Sequence, residues 1–220
     1  MEKMQNIRVA VDSVIFSIKD GELSVLLIGM NKDPFKGQKA FPGGFISQNE
    51  TTEDAARRIL KEETGVSDVF LEQLATFDAP KRDPRGRVIS VAYYALLPSS
   101  EVKLKAAAKY SDIGWYVASD LPKLAYDHKQ IAETAINRLR SKLEYSNVAW
   151  SLLPRDFTLT ELQKVYETIL GRDLDKRNFR RKILALGLIN ASGEKQKGGV
   201  HRPAQLYHFK QRKLVYTDVL

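Results

Sequence analysis

The sequence predicts an α+β fold in two units. Strands and helices mix over residues 1–146, and a smaller unit of helix, turn, helix and hairpin fills 157–220 beyond a linker at 147–156. Three observations lead there. Apolar residues alternate between extended runs and two helical stretches in the first unit. Residues 157–209 carry two short, capped helices followed by two strand-like runs. Charge divides at nearly the same place: residues 1–144 hold 21 Lys+Arg against 20 Asp+Glu, and 145–220 hold 14 against 7. The excess that makes the chain +8 therefore sits in the last third, which points to an anionic partner for that part.

The elements follow in order. Residues 7–18 are rich in Val and Ile, and Asp20-Gly21 separates them from the run 23–28, a hairpin pattern. Residues 39–46 form a third extended segment interrupted by Pro42, Gly43 and Gly44. From Thr51 the period becomes helical: Thr51 and Asp54 can cap the first turn, Ala55, Ile59 and Leu60 follow, and Thr64-Gly65 ends the helix. Residues 69–75, 88–97 and 113–117 read as strands, with Pro84-Arg85-Gly86-Arg87 as a turn. Asp127 opens a second long helix marked by Ile131, Ala135, Ile136, Leu139 and Leu143. After the linker, closed by Pro154, Thr158 and Glu161 make a capping box for a helix that Gly171 ends. Asp175 caps the next helix between the staple residues Leu174 and Phe179, and Gly187 stops it. Strands at 188–191 and 205–209 flank a polar tip at 193–199.

Several function classes drop out early. With no cysteine there is no disulfide framework, thiolate zinc site or cysteine nucleophile. His201 and His208 are too few to argue for zinc. No apolar run approaches the ~18 residues needed to span a bilayer, and no secretory leader pattern opens the chain, so a cytoplasmic location without a membrane partner is expected.

Gly44, five residues, Glu50, seven residues and then Arg58-Ile59-Leu60-Lys61-Glu62-Glu63-Thr64-Gly65-Val66 resembles the Nudix box. That pattern is Gly, five residues, Glu, seven residues, Arg-Glu-apolar-x-Glu-Glu-x-Gly-apolar. Every fixed position matches except 59, where isoleucine stands for glutamate. The resemblance implies an αβα sandwich around a mixed sheet. Positions 59, 62 and 63 lie three and four apart and share one helix face. In the family, carboxylates on that face hold Mg²⁺ against a substrate's diphosphate. Here the metal-holding candidates are Glu62 and Glu63, which also read as an ordinary solvated acidic surface, while Glu50 and Arg58 read as an orienting ion pair. Losing a general base costs about 10²–10⁴ in rate. No catalytic residue is assigned, no cofactor is required, and any Mg²⁺ site is expected to be weakened. The expected role is that of a binder.

Arg82-Asp83-Pro84-Arg85-Gly86-Arg87-Val88 with Ser90-Val91-Ala92-Tyr93 resembles a segment of bacterial ADP-ribose pyrophosphatases. Arg82 and Arg87 can pair with phosphates bidentately. Gly43 and Gly44 can let a phosphate approach the backbone, and Phe41 and Phe45 flank them as stacking or core residues. Asp127-His128 resembles a pair in regulatory Nudix proteins, although a helix cap and a satisfied histidine explain it without any ligand and are the favoured reading.

In the last third, Lys176-Arg177-Asn178-Phe179-Arg180-Arg181-Lys182 opens a helix with five cations. Phe179, Ile183, Leu184 and Leu186 mark its buried side, leaving Lys176, Arg177, Asn178, Arg180 and Arg181 for bases and phosphates. Lys195, Lys197 and Arg202 lie on a glycine-containing wing placed to contact phosphates. Helix, turn, basic helix and basic hairpin in this order form a winged helix-turn-helix.

A degenerate Nudix box followed by a winged helix resembles the Nudix-related transcriptional regulators of the NrtR family. The resemblance implies a homodimer that binds an inverted-repeat, double-stranded DNA operator as a repressor of NAD or related nucleotide or sugar metabolism, with ADP-ribose or a similar small molecule as effector. The competing reading is an active ADP-ribose pyrophosphatase with an accessory DNA-binding unit, in which a loop carboxylate replaces the missing one. An RNA-binding Nudix protein fits less well, because no aromatic stacking platform accompanies the basic segment.

Overall fold

The computed structural model describes residues 6–67, 69–98, 104, 110–196 and 203–220. β1 (Arg8–Lys19) and β2 (Glu22–Met30) form the expected hairpin. Its turn residues Asp20 and Gly21 have φ of 52° and 82°, the left-handed pair that matches a tight turn to strand twist. The next extended segment is two short strands, β3 (Lys39–Ala40) and β4 (Gly43–Phe45). Pro42 between them has no N–H to give to a ladder, but its carbonyl accepts from Ser13 N–H at 2.8 Å. β3 can thus pair with β2 while β4 pairs with β1.

α1 (Thr52–Thr64) starts on the Thr51–Asp54 capping box and ends at Gly65, whose φ is 75°. β5 (Phe70–Phe77), β6 (Val88–Leu96) and β7 (Tyr110–Val117) complete a seven-stranded sheet. The path runs β3-β2-β1-β6-β5, with β4 on β1 and β7 on β2. The β1–β6 pair is parallel and the others are antiparallel, so the sheet is mixed.

Side-chain alternation divides the core into two layers. Val11 and Tyr93 pack with Ala55, Ala56 and Ile59 of α1, and Ile15, Ala95 and Leu97 pack with Leu60. Their strand neighbours Val14, Phe16, Ala92, Tyr94 and Leu96 face the other way, onto Ile131, Ala135 and Leu139 of α2 (His128–Glu144). A helix on each face gives the αβα sandwich.

The second unit follows the sequence closely and adds a strand. β8 (Phe157–Thr158) leads into α3 (Leu159–Leu170), which starts on the Thr158–Glu161 capping box and ends at left-handed Gly171. Asp175 then caps α4 (Lys176–Ala185) by accepting from Asn178 N–H. β9 (Ile189–Lys195) and β10 (Gln205–Phe209) form the hairpin, and β8 makes it a three-stranded sheet in the order β8-β10-β9. Phe179 of α4 meets Tyr166 of α3 edge-on at 5.3 Å between ring centroids, fixing the angle of the helix pair.

The junction is apolar. Val148–Leu152 form a 3₁₀ turn that is buried throughout, and Leu153 is buried beside it. One cluster runs from the α2 face of the sheet through Val148 and Trp150 to Leu162 and Phe179. The end of the chain returns to this junction: Thr217 and Val219 donate to the carbonyls of Tyr145 and Glu144, and Val219 is buried. Arg140 Nε of α2 donates to the Ile169 carbonyl of α3 at 3.0 Å.

Candidate functional site: a cleft at the start of α2 and a cationic helix

Asp12 lies in the middle of β1, an acid in an apolar strand, on the face that carries α2. It is buried, and Ser90 Oγ donates to its Oδ2 at 2.6 Å. The Arg82 guanidinium, 3% exposed, gives Nη2 to the same oxygen at 3.2 Å. Arg82 also clasps Asp127 through Nε and Nη2 at 2.8 and 2.6 Å. Asp127 makes no side-chain cap of α2, so the capping role expected from sequence gives way to this ion pair. His128 is satisfied on both sides: Phe41 N–H donates to Nδ1 at 3.0 Å, and Nε2 faces Asp12 Oδ1 at 3.5 Å. A donor aimed at Nδ1 leaves the ring proton on Nε2, directed at the carboxylate.

Burial by itself would raise the Asp12 carboxyl, but the His128 ring, the Ser90 hydroxyl and Arg82 outweigh it and hold the value at about 2, below the ordinary 3.8. Since the folded-state value is the lower one, the stability this carboxylate contributes is fully present above about pH 4. It is lost as the pH falls through 2. Asp12→Asn should cost about 2 kcal/mol near neutrality, and the gap to wild type should close in urea titrations run from pH 5 towards pH 2.

Asp12, Arg82 and His128 floor a cleft of about 220 Å³. Gly43 and Gly44 line it for different reasons. A Cβ on Gly43 would come within 2.5 Å of Asp12 Oδ1 and 2.7 Å of the Val11 carbonyl, so β4 can sit against β1 only without a side chain there. Gly44 has open space at the corresponding point. Phe41 is 1% exposed and stacked on His128, a wall residue held in the core, whereas Phe45 is exposed at the rim under the Arg8 guanidinium. Arg87 is half-buried and donates to the Asp78 carbonyl, outside the lining.

The cation that sequence reasoning missed is Arg85. It lines the cleft with its side chain 47% exposed, held by Asp83 and by the Tyr126 hydroxyl at 2.7 Å. Tyr126 adopts φ 53°, a left-handed backbone uncommon for a bulky residue and costing about 1–3 kcal/mol. Contacts with Phe35 at 4.2 Å and His128 at 5.2 Å hold the ring at the cleft. Asp12 was detectable as a charge in an apolar run. Tyr126 adjoins the quoted Asp127-His128 pair but carries no local signal of its own.

The former metal face does not fit a metal. Ile59 is 1% exposed and turned into the apolar layer with Val11 and Tyr93. Both Glu50 oxygens take the Arg58 guanidinium, at 2.7 and 2.9 Å, and Oε2 also accepts from Ser47 N–H. Glu62 faces Arg58 at 3.6 Å. Glu63 is fully buried and meets the Tyr110 phenol, whose pKa is pushed up by burial and then by the Glu63 charge and their hydrogen bond. Among the described residues no three acids or histidines gather as a metal cluster. Ile59→Glu should therefore not restore hydrolysis of ADP-ribose with Mg²⁺. A carboxylate placed in that layer should destabilise the protein by about 3–5 kcal/mol. The loss should grow with pH, because burial raises the carboxyl's pKa and disfavours its charged form.

On α4, Lys176, Arg177, Asn178 and Arg181 are exposed. Arg181 Nη2 donates to Asn178 Oδ1 at 3.0 Å, tying the two together. Arg180 is turned back onto α3, where Nη2 donates to Thr160 Oγ1 at 2.9 Å. Leu184 departs from the expected buried side and is 47% exposed, whereas Phe179 and Ile183 are buried. Lys195 is exposed at the end of β9. Lys197 and Arg202 lie outside the described residues. No helix among the described residues is long and apolar enough to cross a membrane.

Fold and site together define a class: a Nudix-type sandwich with a degenerate metal helix, joined to a cationic winged helix. A NUDIX domain model matches residues 6–137, and a model of the NrtR DNA-binding winged helix domain matches residues 149–209. The ADPR responsive transcriptional repressor NtrR of Acinetobacter baylyi is 39% identical over 204 residues, covering 90% of this chain and 80% of that protein. The crystal structure of Shewanella oneidensis NrtR complexed with a 27mer DNA is similar at TM-score 0.82 and 38% identity, covering 92% of this chain and 93% of that one. The NUDIX domain of Shewanella oneidensis NrtR, in a cocrystal structure with ADP ribose, is similar at TM-score 0.55 and 37% identity, over 62% and 90%. The chain belongs to the NrtR family of Nudix-related transcriptional regulators.

Proposed function

We propose that the protein is a transcriptional repressor, acting in the cytoplasm as a homodimer, that holds an inverted-repeat operator through α4 and releases it when ADP-ribose fills the cleft at the start of α2. The relatives support both ligands: one solved NrtR structure is complexed with DNA and another with ADP ribose. The observation that carries the coupling is α2 itself. Its first residue, His128, lines the cleft, and twelve residues later Arg140 is bonded to α3. A shift at the cleft therefore reaches the helix that α4 packs on.

Within the cleft, Arg85 is the cation with capacity for a diphosphate: it is half exposed and paired with one carboxylate, Asp83, whereas Arg82 is buried and shared between two. Phe45 and Tyr126 offer ring faces for the base, and Gly44 an open backbone. No metal is needed for this binding, and the engaged carboxylates of α1 argue against turnover. On DNA, Arg177, Asn178 and Arg181 reach bases, while Lys176, Lys195, Lys197 and Arg202 meet phosphates.

A direct test is fluorescence anisotropy of a labelled operator duplex. Adding ADP-ribose should release the duplex, and the ADP-ribose should be recovered intact after incubation with Mg²⁺. Unchanged anisotropy at saturating ADP-ribose, or steady hydrolysis at about 1 per second or faster, would overturn the reading.

A further inference from the structure

The outward face of α4 is not purely cationic. At 3.6 residues per turn, Leu184 lies about 20° from Arg177 around the axis and about 60° from Arg181. It is thus nearer the line of Arg177 than Asn178 is. The exposed stripe reads Arg177, Asn178, Arg181, Leu184 and Ala185, the spacing of one helix face. A leucine 47% exposed in such a stripe keeps its apolar surface in water, although Ile183 beside it is buried. Among the described residues, Leu184 belongs to none of the apolar clusters.

We propose that Leu184 is a specificity-determining residue that reads the C5 methyl of a thymine in the operator's major groove. The inference rests on α4 being the DNA-reading helix. Arg177 and Arg181, about 20° and 60° round the axis from Leu184, bring that face against a polyanion, and the major groove presents one apolar group, the thymine methyl. Leu184 lies about 10 Å along the axis from Arg177, close to three base-pair steps. The two side chains therefore address different base pairs of one half-site, with arginine directed to a guanine and leucine to a thymine. Ala185 beside it is small enough to let the helix approach.

The test uses a duplex that the wild-type protein selects from random-sequence DNA. Each thymine is then replaced, symmetrically in both half-sites, by deoxyuridine, which lacks only the methyl. At one position wild-type affinity should fall, by about fourfold per half-site for one buried methyl. Leu184→Ala should fold, because the position is exposed, and should keep its oligomeric state, bind the thymine duplex more weakly and be indifferent to the swap. The inference is overturned if no thymine-to-uracil swap weakens the wild type. It is equally overturned if Leu184→Ala keeps the full response, or if that variant instead shifts the monomer–dimer equilibrium, which would make Leu184 a subunit contact. A protein that selects no duplex at all would sink the DNA-binding reading and this inference with it, an outcome distinct from selection without methyl sensitivity.

Discussion

Replacing Arg177 and Arg181 together by alanine should abolish specific operator binding at moderate salt while leaving the thermal midpoint and ADP-ribose affinity unchanged. Each guanidinium directed at a guanine contributes about 1–3 kcal/mol of discrimination. Two are lost per subunit, so the combined effect is on the order of 10³-fold or more in a dimer. Both residues are exposed on α4, so their removal disturbs no core contact. Arg180→Ala should behave differently, because its side chain is tied to Thr160 on α3 and acts mainly through that contact. Anisotropy titrations over a range of salt separate the cases. Loss of base contacts lowers specific binding alone, while Lys195→Ala should weaken all sequences alike and lower the salt slope by about 1. Operator affinity within threefold of wild type for the double variant would remove α4 from the interface.

Arg82→Ala should be the most damaging single change in the cleft, and it should act on stability. Removing the guanidinium leaves buried Asp12 and half-buried Asp127 without their cation, a loss of about 3–5 kcal/mol. For a chain of this size that is a fall on the order of 10 °C in Tm. Arg85→Ala should show the complementary pattern, a Tm within a few degrees of wild type and ADP-ribose binding weakened tenfold or more. Arg87→Ala should change neither by much, since that side chain lies outside the cleft lining. If Arg82→Ala kept its Tm and lost only ligand affinity, Arg82 would be a phosphate ligand and the buried network would have been misread.

The contrast between Arg82 and Arg85 shows what the sequence can and cannot say. Local signals carried most of the elements: the Asp20-Gly21 turn, the Thr51 and Thr158 capping boxes, and left-handed Gly65 and Gly171 are all short-range devices. The Nudix box located α1 by its fixed gaps. The cleft, however, is assembled by strand pairing and by the entry of α2, which bring together residues as distant as Asp12, Arg82 and His128. Which arginine of 82, 85 and 87 is buried depends on that assembly, and the three look alike in sequence. Leu184 was misplaced for a related reason: adjacent Ile183 and Leu184 both satisfy a helical period, and only the packing of α3 decides which one is covered. The segment 147–156 reads as a polar-ended connection closed by proline. Its Val148, Trp150 and Leu152 are covered because the first unit and α3 close over them.

Calorimetry measures the coupling between the cleft and α4 most directly. ADP-ribose is titrated into the protein alone and into the protein saturated with operator duplex. Linkage requires that operator weaken ADP-ribose by the same factor by which ADP-ribose weakens operator, typically about 5–150-fold for coupling of 1–3 kcal/mol. Equal factors are expected from the two directions, both lost in Arg85→Ala. An ADP-ribose affinity identical with and without operator would contradict that expectation, and the cleft would not be the switch.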